Sequence, residues 1–588
     1  MSFLFPLIHL FKNSFFNTQK NKNIKKVDNQ MKNFSKDEEE LLRAYLFTNP
    51  HGRTSFLYQQ SLLAGEELAP LMAAVSRTHM PMQDRVLEFL DEEKNDETRR
   101  MIPLIKEEMA INRDKTGSIK VSKKAENFNK KWVIRHGHNS IKEINNLIGY
   151  CEDISDISAS QILGHPRNRP QAKSTRYISY GNVLDMTLKD VDIKRLKQSD
   201  EFFEYLAYMN SQYLKTTEKL VDLIWNSEEG KAIREYKKEE SIKEKGKPIS
   251  DDALINNLKR FVFDSARVYL PASTRTSLGF SVDSRSLEEI ITNMISSERE
   301  EDKQRGYELW EEAKKISPVL LGEKSHIKED KWIKYKETEF LNEMRERFKD
   351  IPVVQYDKPK VKIITSRDID IATDRFNAVC ALFPYLESPL FSIYERLNKD
   401  DTRAVLEKIH ANRGEYDNID EGIAHGGIII EFVMGHHAYR DIFRHRNGAR
   451  STQLLSTNLG FEIPPLFEKY GLAEEYKKDM MKAREIYKKA SIQNPYIAEK
   501  LVPFGALRRA IHSWSIKQVA YVGRLRSDIK KGNYAYVHIV REMMEQMNQL
   551  FPETMKYAKW NKEDYPEDLW KDGYKLYDKN RKEIEQKE

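Results

Sequence analysis

Residues 161–177 read QILGHPRNRPQAKSTRY, and residues 444–451 read RHRNGARS. Each stretch ends a run of helical apolar spacing with Gly, His and Arg. Beyond each comes a long helical pattern, then Leu270-Pro271 or Val502-Pro503, then a final polar helix. This order predicts one long internal repeat, although direct identity between the halves is slight. No short repeat of solenoid type is present.

Outward from these loops, 588 residues suffice for two or three domains. With 39% hydrophobic and 32% charged residues, the composition is that of a folded chain with a charged surface. The net charge of +6 suits an anionic small molecule or weak nucleic-acid contact and forces neither. Evenly mixed Lys and Glu, without a basic domain, argue against nucleic acid. Two cysteines, Cys151 and Cys380, exclude a disulfide framework and a cysteine-rich zinc site. No stretch is apolar enough to cross a bilayer, and a cytoplasmic protein is expected. Phe3 to Phe11 is apolar, but its lysines (Lys12, Lys20, Lys22, Lys25, Lys26) follow it, the reverse of a signal peptide. Residues 1–34 are expected to be a disordered extension or sequence upstream of the real start.

The pattern predicts an α+β fold of two tandem domains, predominantly helical with small sheets. The first spans 35–317 and the second 359–588, joined by a helical linker at 318–358. Helical spacing covers most of Glu38 to Tyr150, Phe202 to Trp225, Leu258 to Leu270, Ile369 to Leu382, Glu421 to Phe443 and Ala473 to Ile492, with a last helical pair reaching Leu550. Tyr177 to Val183 and Val361 to Thr365 read as strands. Glu228 to Asp252, alternating Lys and Glu, reads as a solvated helix.

The two loops together resemble the signature of the flavin-dependent thymidylate synthases, in which Arg-His-Arg is followed by Ser-x-Arg-Tyr. The first half adds His136-Gly137-His138-Asn139-Ser140, Ala266-Arg267-Val268-Tyr269-Leu270-Pro271 and Val282-Asp283-Ser284-Arg285-Ser286-Leu287, each similar to a family segment. The second half adds Leu501-Val502-Pro503 and Arg524-Leu525-Arg526. Departures are sorted between the halves. The first half has Gly164-His165-Pro166 for the triplet and Met294 for an arginine. The second has Leu454 and Ser456 for Ser and Arg. Ala172 stands where a Glu is usual, and Ile144 where a His is usual.

The resemblance implies conversion of dUMP to dTMP, with FAD, NADPH and methylenetetrahydrofolate. It implies dUMP binding by Gln161, Ser174, Thr175, Arg176 and Arg267, with Arg176 and Arg526 nearest the reacting ring. It implies FAD binding by Arg444, His445, Arg446, Asp283 and Arg285, and no metal. The chemistry of these residues agrees. Guanidinium forks grip phosphate, Ser hydroxyls donate, and an amide both donates and accepts. The plainer account of Arg440 and Arg444, four apart, is cations at a helix C-terminus. For the paired histidines, His136/His138 and His436/His437, it is structural packing. A family tetramer becomes, for a fused chain, a homodimer forming a pseudo-tetramer. The complementary losses predict one surviving site per chain, drawn from both halves. The rival expectation is a catalytically degenerate homologue that binds flavin or nucleotide as a sensor or scaffold.

Overall fold

The computed structural model describes residues 34–57, 72, 75, 80–90, 103–104, 106–107 and 110–562. The last span excludes 177, 181–186, 188, 372, 415–419, 421, 423–424, 426, 529–531 and 556–557. Two antiparallel sheets organise it. The first runs β1 (Leu46–Thr48), β2 (Thr54–Leu57), β3 (Asn146–Ser155), β5 (Arg275–Asp283), β4 (Gln171–Ala172). The second runs β6 (Lys360–Ile364), β7 (Ile428–Gly435), β9 (Leu507–Trp514), β8 (Arg450–Thr452).

The same element order recurs in both. After β3 comes α1 (Asp156–Leu163), then β4, the long α2 (Ser199–Asn226), α3 (Asp251–Ala266), β5, α4 (Ser284–Ser296) and α5 (Glu300–Ile316). After β7 comes α6 (His436–Ile442), then β8, the long α7 (Ala473–Gln493), β9, α8 (Ile516–Arg526) and α9 (Tyr534–Leu550). Hydrogen bonds match in detail. Asp156 and Ile157 donate to the carbonyls of Thr274 and Ala272, as His436 and His437 donate to those of Ala506 and Phe504.

The halves meet about an approximate two-fold axis. Pro271 and Pro503 bridge each other. Ala272 donates to Val502 and Phe504 to Leu270, while Ser273 donates to Lys500 and Gly505 to Val268. Around this step lies one shared core. Tyr205, Met209 and Tyr213 of α2 and Val262 of α3 pack in the same cluster as Tyr476, Met480 and Tyr487 of α7. Their spacing of three and four residues is why these segments are helices with a buried stripe. In β3, Gly149 leaves room for the edge-to-face pair Phe56–Phe280, whose centroids are 6.0 Å apart. A Cβ there would lie 2.4 Å from Phe280. The connector supplies Phe340, Met344 and Phe348 to the core beside Ile364 and Phe376.

Several expected helices give way to strands. Glu421–Phe443 holds β7 before the short α6, because Ile428 to Met434 is a nearly unbroken apolar run with no helical period. β9 precedes α8 and α9 in what reads as a helical pair. β1, β2 and the start of β3 interrupt Glu38–Tyr150. α3 ends at Ala266 and gives way to a 3-10 turn, Arg267–Tyr269. Helix Asp374–Leu382 starts later than Ile369. The predicted strand at Tyr177–Val183 lies largely outside the described residues, and Ile178–Tyr180 is not a strand.

Candidate active site

The two-fold axis brings the end of α6 against the segment after β4. Ser155 caps α1, its hydroxyl accepting the Ser158 N–H at 3.3 Å. The Asn168 amide ties the following loop to the Ile162 carbonyl at 2.7 Å. β4 then pairs with β5 and delivers Ser174, Thr175 and Arg176. The Ser174 hydroxyl accepts the Arg176 N–H at 3.2 Å, a local turn that fixes the backbone. Buried Thr175 Oγ1 accepts from Arg267 Nη1 at 3.0 Å and from Arg440 Nη1 at 3.1 Å, so one hydroxyl joins arginines from both halves. Arg176 Nε donates to both oxygens of Asp264, at 2.9 and 3.1 Å. Arg440 Nη2 pairs with Asp156 at 2.9 Å, and Asp156 also faces His436 at 3.1 Å.

Arg267 is only 2% exposed, and its Nε and Nη2 find no hydrogen-bond partner. Asp264, 3.5 Å from Nη2, offers an ion pair only. Asp441 lies at the end of α6, almost buried. Burial raises its carboxyl, and Arg444, Arg176, Arg267 and Arg526 outweigh that, holding it at about 2. Around it, five guanidiniums (Arg176, Arg267, Arg440, Arg444, Arg526) meet three carboxylates (Asp156, Asp264, Asp441). The cations outnumber the carboxylates, which suits an anionic group such as a phosphate monoester.

The Arg444 side chain is 51% exposed. Arg446 Nε reaches across to the Leu163 carbonyl at 3.1 Å. Burial, then Arg450, Arg444 and Arg169, pull Arg446 down to about 10. These crowded cations fit an anion of higher charge, such as the pyrophosphate of FAD. His445 is nearly buried and accepts from Arg526 Nε at 3.1 Å. Burial first, then Arg526, lowers it to about 4, so its ring is neutral.

The structure thus gathers Thr175, Arg176 and Arg267 with Arg444, His445 and Arg526. Arg446 lies beside Arg444, and Ser174 turns its hydroxyl onto its own loop. Gln161 has a counterpart of different chemistry in the second half. Counting from the matched Asp156 and His436, its counterpart is Asp441, and that residue faces Arg176 and Arg267. By the same count along the Pro271–Pro503 step, Glu499 is the counterpart of Arg267. Asp283 caps α4, its two oxygens accepting from Ser286 N and Oγ at 2.9 and 2.7 Å. Arg285 pairs with Glu143 and Glu289. Sequence reading missed Asp441, Asp264 and Asp156. The alignment of Gly164-His165-Pro166 with the triplet already sets Asp441 opposite Gln161; the other two carry no motif.

Among the described residues, no group of three His, Cys, Asp or Glu side chains is placed to hold a metal ion. His436 serves Asp156 and His437 serves Glu462, while His136 and His138 flank Trp132. Both cysteines are buried, and burial pushes the Cys151 thiol up to about 12. No described helix is long and apolar enough to cross a membrane.

Residues 73–319 match the family model described as Thy1, thymidylate synthase complementing protein. A UPF0159 protein of Thermoplasma acidophilum is 23% identical over 430 residues, covering 69% of this chain and 83% of its own length. One from Chlamydia muridarum is 24% identical over 454 residues, covering 74% and 81%. Another, from Chlamydia pneumoniae, is 24% identical over 455 residues, covering 74% and 82%. Over residues 73–319, then, the chain is similar to the thymidylate synthase complementing proteins.

Proposed function

We propose that the chain makes dTMP from dUMP with FAD, methylenetetrahydrofolate and NADPH, using one site built from both halves. The observation that carries this is the arginine cluster around Thr175 and Asp441, with its two unpartnered Arg267 donors. Arg267 and Arg440, locked by Thr175, take the phosphate of dUMP, and Arg176, held by Asp264, completes the grip. Arg526, braced by neutral His445, faces the uracil ring and stabilises charge that develops on it. Arg444 and Arg446 hold the flavin, which supplies the reducing electron pair when bound. The burial of both thiols fits a reaction in which no cysteine attacks the uracil.

We also propose that the halves descend from a duplication and that two chains pair as a pseudo-tetramer in the cytoplasm. Release of tritium from 5-tritiated dUMP by the purified protein tests the reaction, and complementation of a thymidine-requiring bacterium tests it in cells. Absence of both, with flavin and dUMP still bound, supports a degenerate sensor or scaffold instead. Asp441 at the position of Gln161 and Ala172 in β4 favour that second reading. The flavin assignment is tested by Arg444→Ala combined with Arg446→Ala. Loss of flavin absorbance is expected, and its full retention rejects the assignment.

A further inference from the structure

Asp441 is an unusual neighbour for an anion. Its side chain is 9% exposed, and the closest guanidinium nitrogen of Arg444 is 3.9 Å away, beyond hydrogen-bond reach. Among the described residues, no side chain donates a hydrogen bond to it. A nearly buried, ionised carboxylate without donors is costly to maintain. Arg267, one of the cations that hold the Asp441 carboxyl down, keeps two buried N–H-bearing nitrogens without acceptors. The site therefore holds a carboxylate to which no described side chain donates, among cations that include an arginine with two nitrogens lacking acceptors. A bare anion satisfies the arginine alone. A ligand that carries both an anionic group and an O–H or N–H satisfies both. The first half has Gln161 at the equivalent place, and an amide both donates and accepts. An ionised carboxylate only accepts, so the ligand atom beside Asp441 must be a donor.

We infer that Asp441 selects, among anions, those that also carry a hydrogen-bond donor, accepting an O–H or N–H of the bound nucleotide. This rests on the reading of the arginine cluster as a dUMP site. In dUMP the sugar 3′-hydroxyl and the ring N3–H are the two donors outside the phosphate.

The test is calorimetric titration of the full-length protein at pH 8 with sulfate, which carries no donor, and with dUMP. Wild type, Asp441→Leu and Asp441→Asn are compared. Removing the negative charge is expected to tighten sulfate binding in both variants. In Asp441→Leu, dUMP is expected to bind about ten-fold more weakly or worse, the loss of one charge-assisted hydrogen bond. Should the Leu variant fail to fold, Asp441→Asn carries the test, with sulfate tightened and dUMP not. Two analogues separate the sources: 2′,3′-dideoxyuridine monophosphate lacks the hydroxyl, and N3-methyl dUMP lacks the ring donor. The one missing the group Asp441 accepts should bind wild type about ten-fold more weakly and the Leu variant no differently from dUMP. Sulfate and dUMP tightening in parallel overturns the inference and leaves Asp441 as a neutralising charge, as do two analogues that both bind like dUMP. Wild type that binds sulfate but not dUMP overturns the nucleotide reading itself, and this inference with it.

Discussion

Arg267 and Glu499 occupy equivalent places on either side of the Pro271–Pro503 step and carry opposite charges. Arg267 bonds Thr175 and keeps spare donors. Glu499 accepts from the N–H of Leu455, the counterpart of Thr175, at 2.7 Å and from Arg299 at 2.9 Å. Next to it, fully buried Lys500 pairs with Asp190, Asp192 and Glu301 of the first half at 2.7–2.8 Å. A phosphate on this second side would meet a carboxylate whose partners are already committed. The backbone is symmetric, and the side chains have gathered arginines with spare donors on one side and an internal ion-pair clamp on the other.

The largest expected asymmetry is in acid. The second half buries His425, His436 and His445, each pulled by burial down to about 4, and His512, pushed well below the usual histidine range. Among the described residues, the first half buries no histidine. A histidine kept neutral when folded binds a proton more readily when unfolded. Its stabilisation is therefore complete above pH 6.5 and is lost as pH falls from there toward 4. The loss is on the order of 3 kcal/mol for each of His425, His436 and His445. Hydrogen exchange should show β7 and β9 losing protection between pH 7 and 5 well before β3 and β5. Parallel loss in both sheets breaks the contrast.

Next in size is the clamp. Lys500→Met leaves three carboxylates without their ammonium, and denaturant unfolding should show a loss of about 3–5 kcal/mol. Arg444→Ala, at a half-exposed side chain, should stay within about 0.5 kcal/mol. Similar losses from both changes would mean that the arginine cluster is as structural as the clamp.

Smaller still is the effect on ligand. Arg176→Ala should weaken dUMP binding by about 2–3 kcal/mol while leaving flavin in place. Ser456→Ala, at the counterpart position, should leave dUMP binding unchanged. Calorimetry with both variants sharpens the difference, and unchanged affinity in Arg176→Ala removes that residue from the site. The smallest effect expected is none at all. Equilibrium titration should give one dUMP and one FAD per chain, in wild type and in Glu499→Gln alike. Two dUMP in the wild type would show that the Glu499 side still binds.

Much of this was legible before any coordinates. The loops at 161–177 and 444–451, the Leu-Pro and Val-Pro steps and the long amphipathic helices are local signals. A chain writes them in order because a helix stripe, a cap or a turn depends on neighbours a few residues away. The same locality explains the errors at β7 and β9. An apolar run of eight residues becomes strand or helix according to what pairs with it, and the paired residues of β7 and β9 lie 72 or more residues apart, as Gly435 does from Leu507. The site divides in the same way. Composition and motif named the arginines, but only the two-fold packing decided that Thr175 would join Arg267 to Arg440, 265 residues away. Only that packing placed Asp441 before Arg176, because charge and hydrogen bonding act through space while a sequence records only neighbours along the chain.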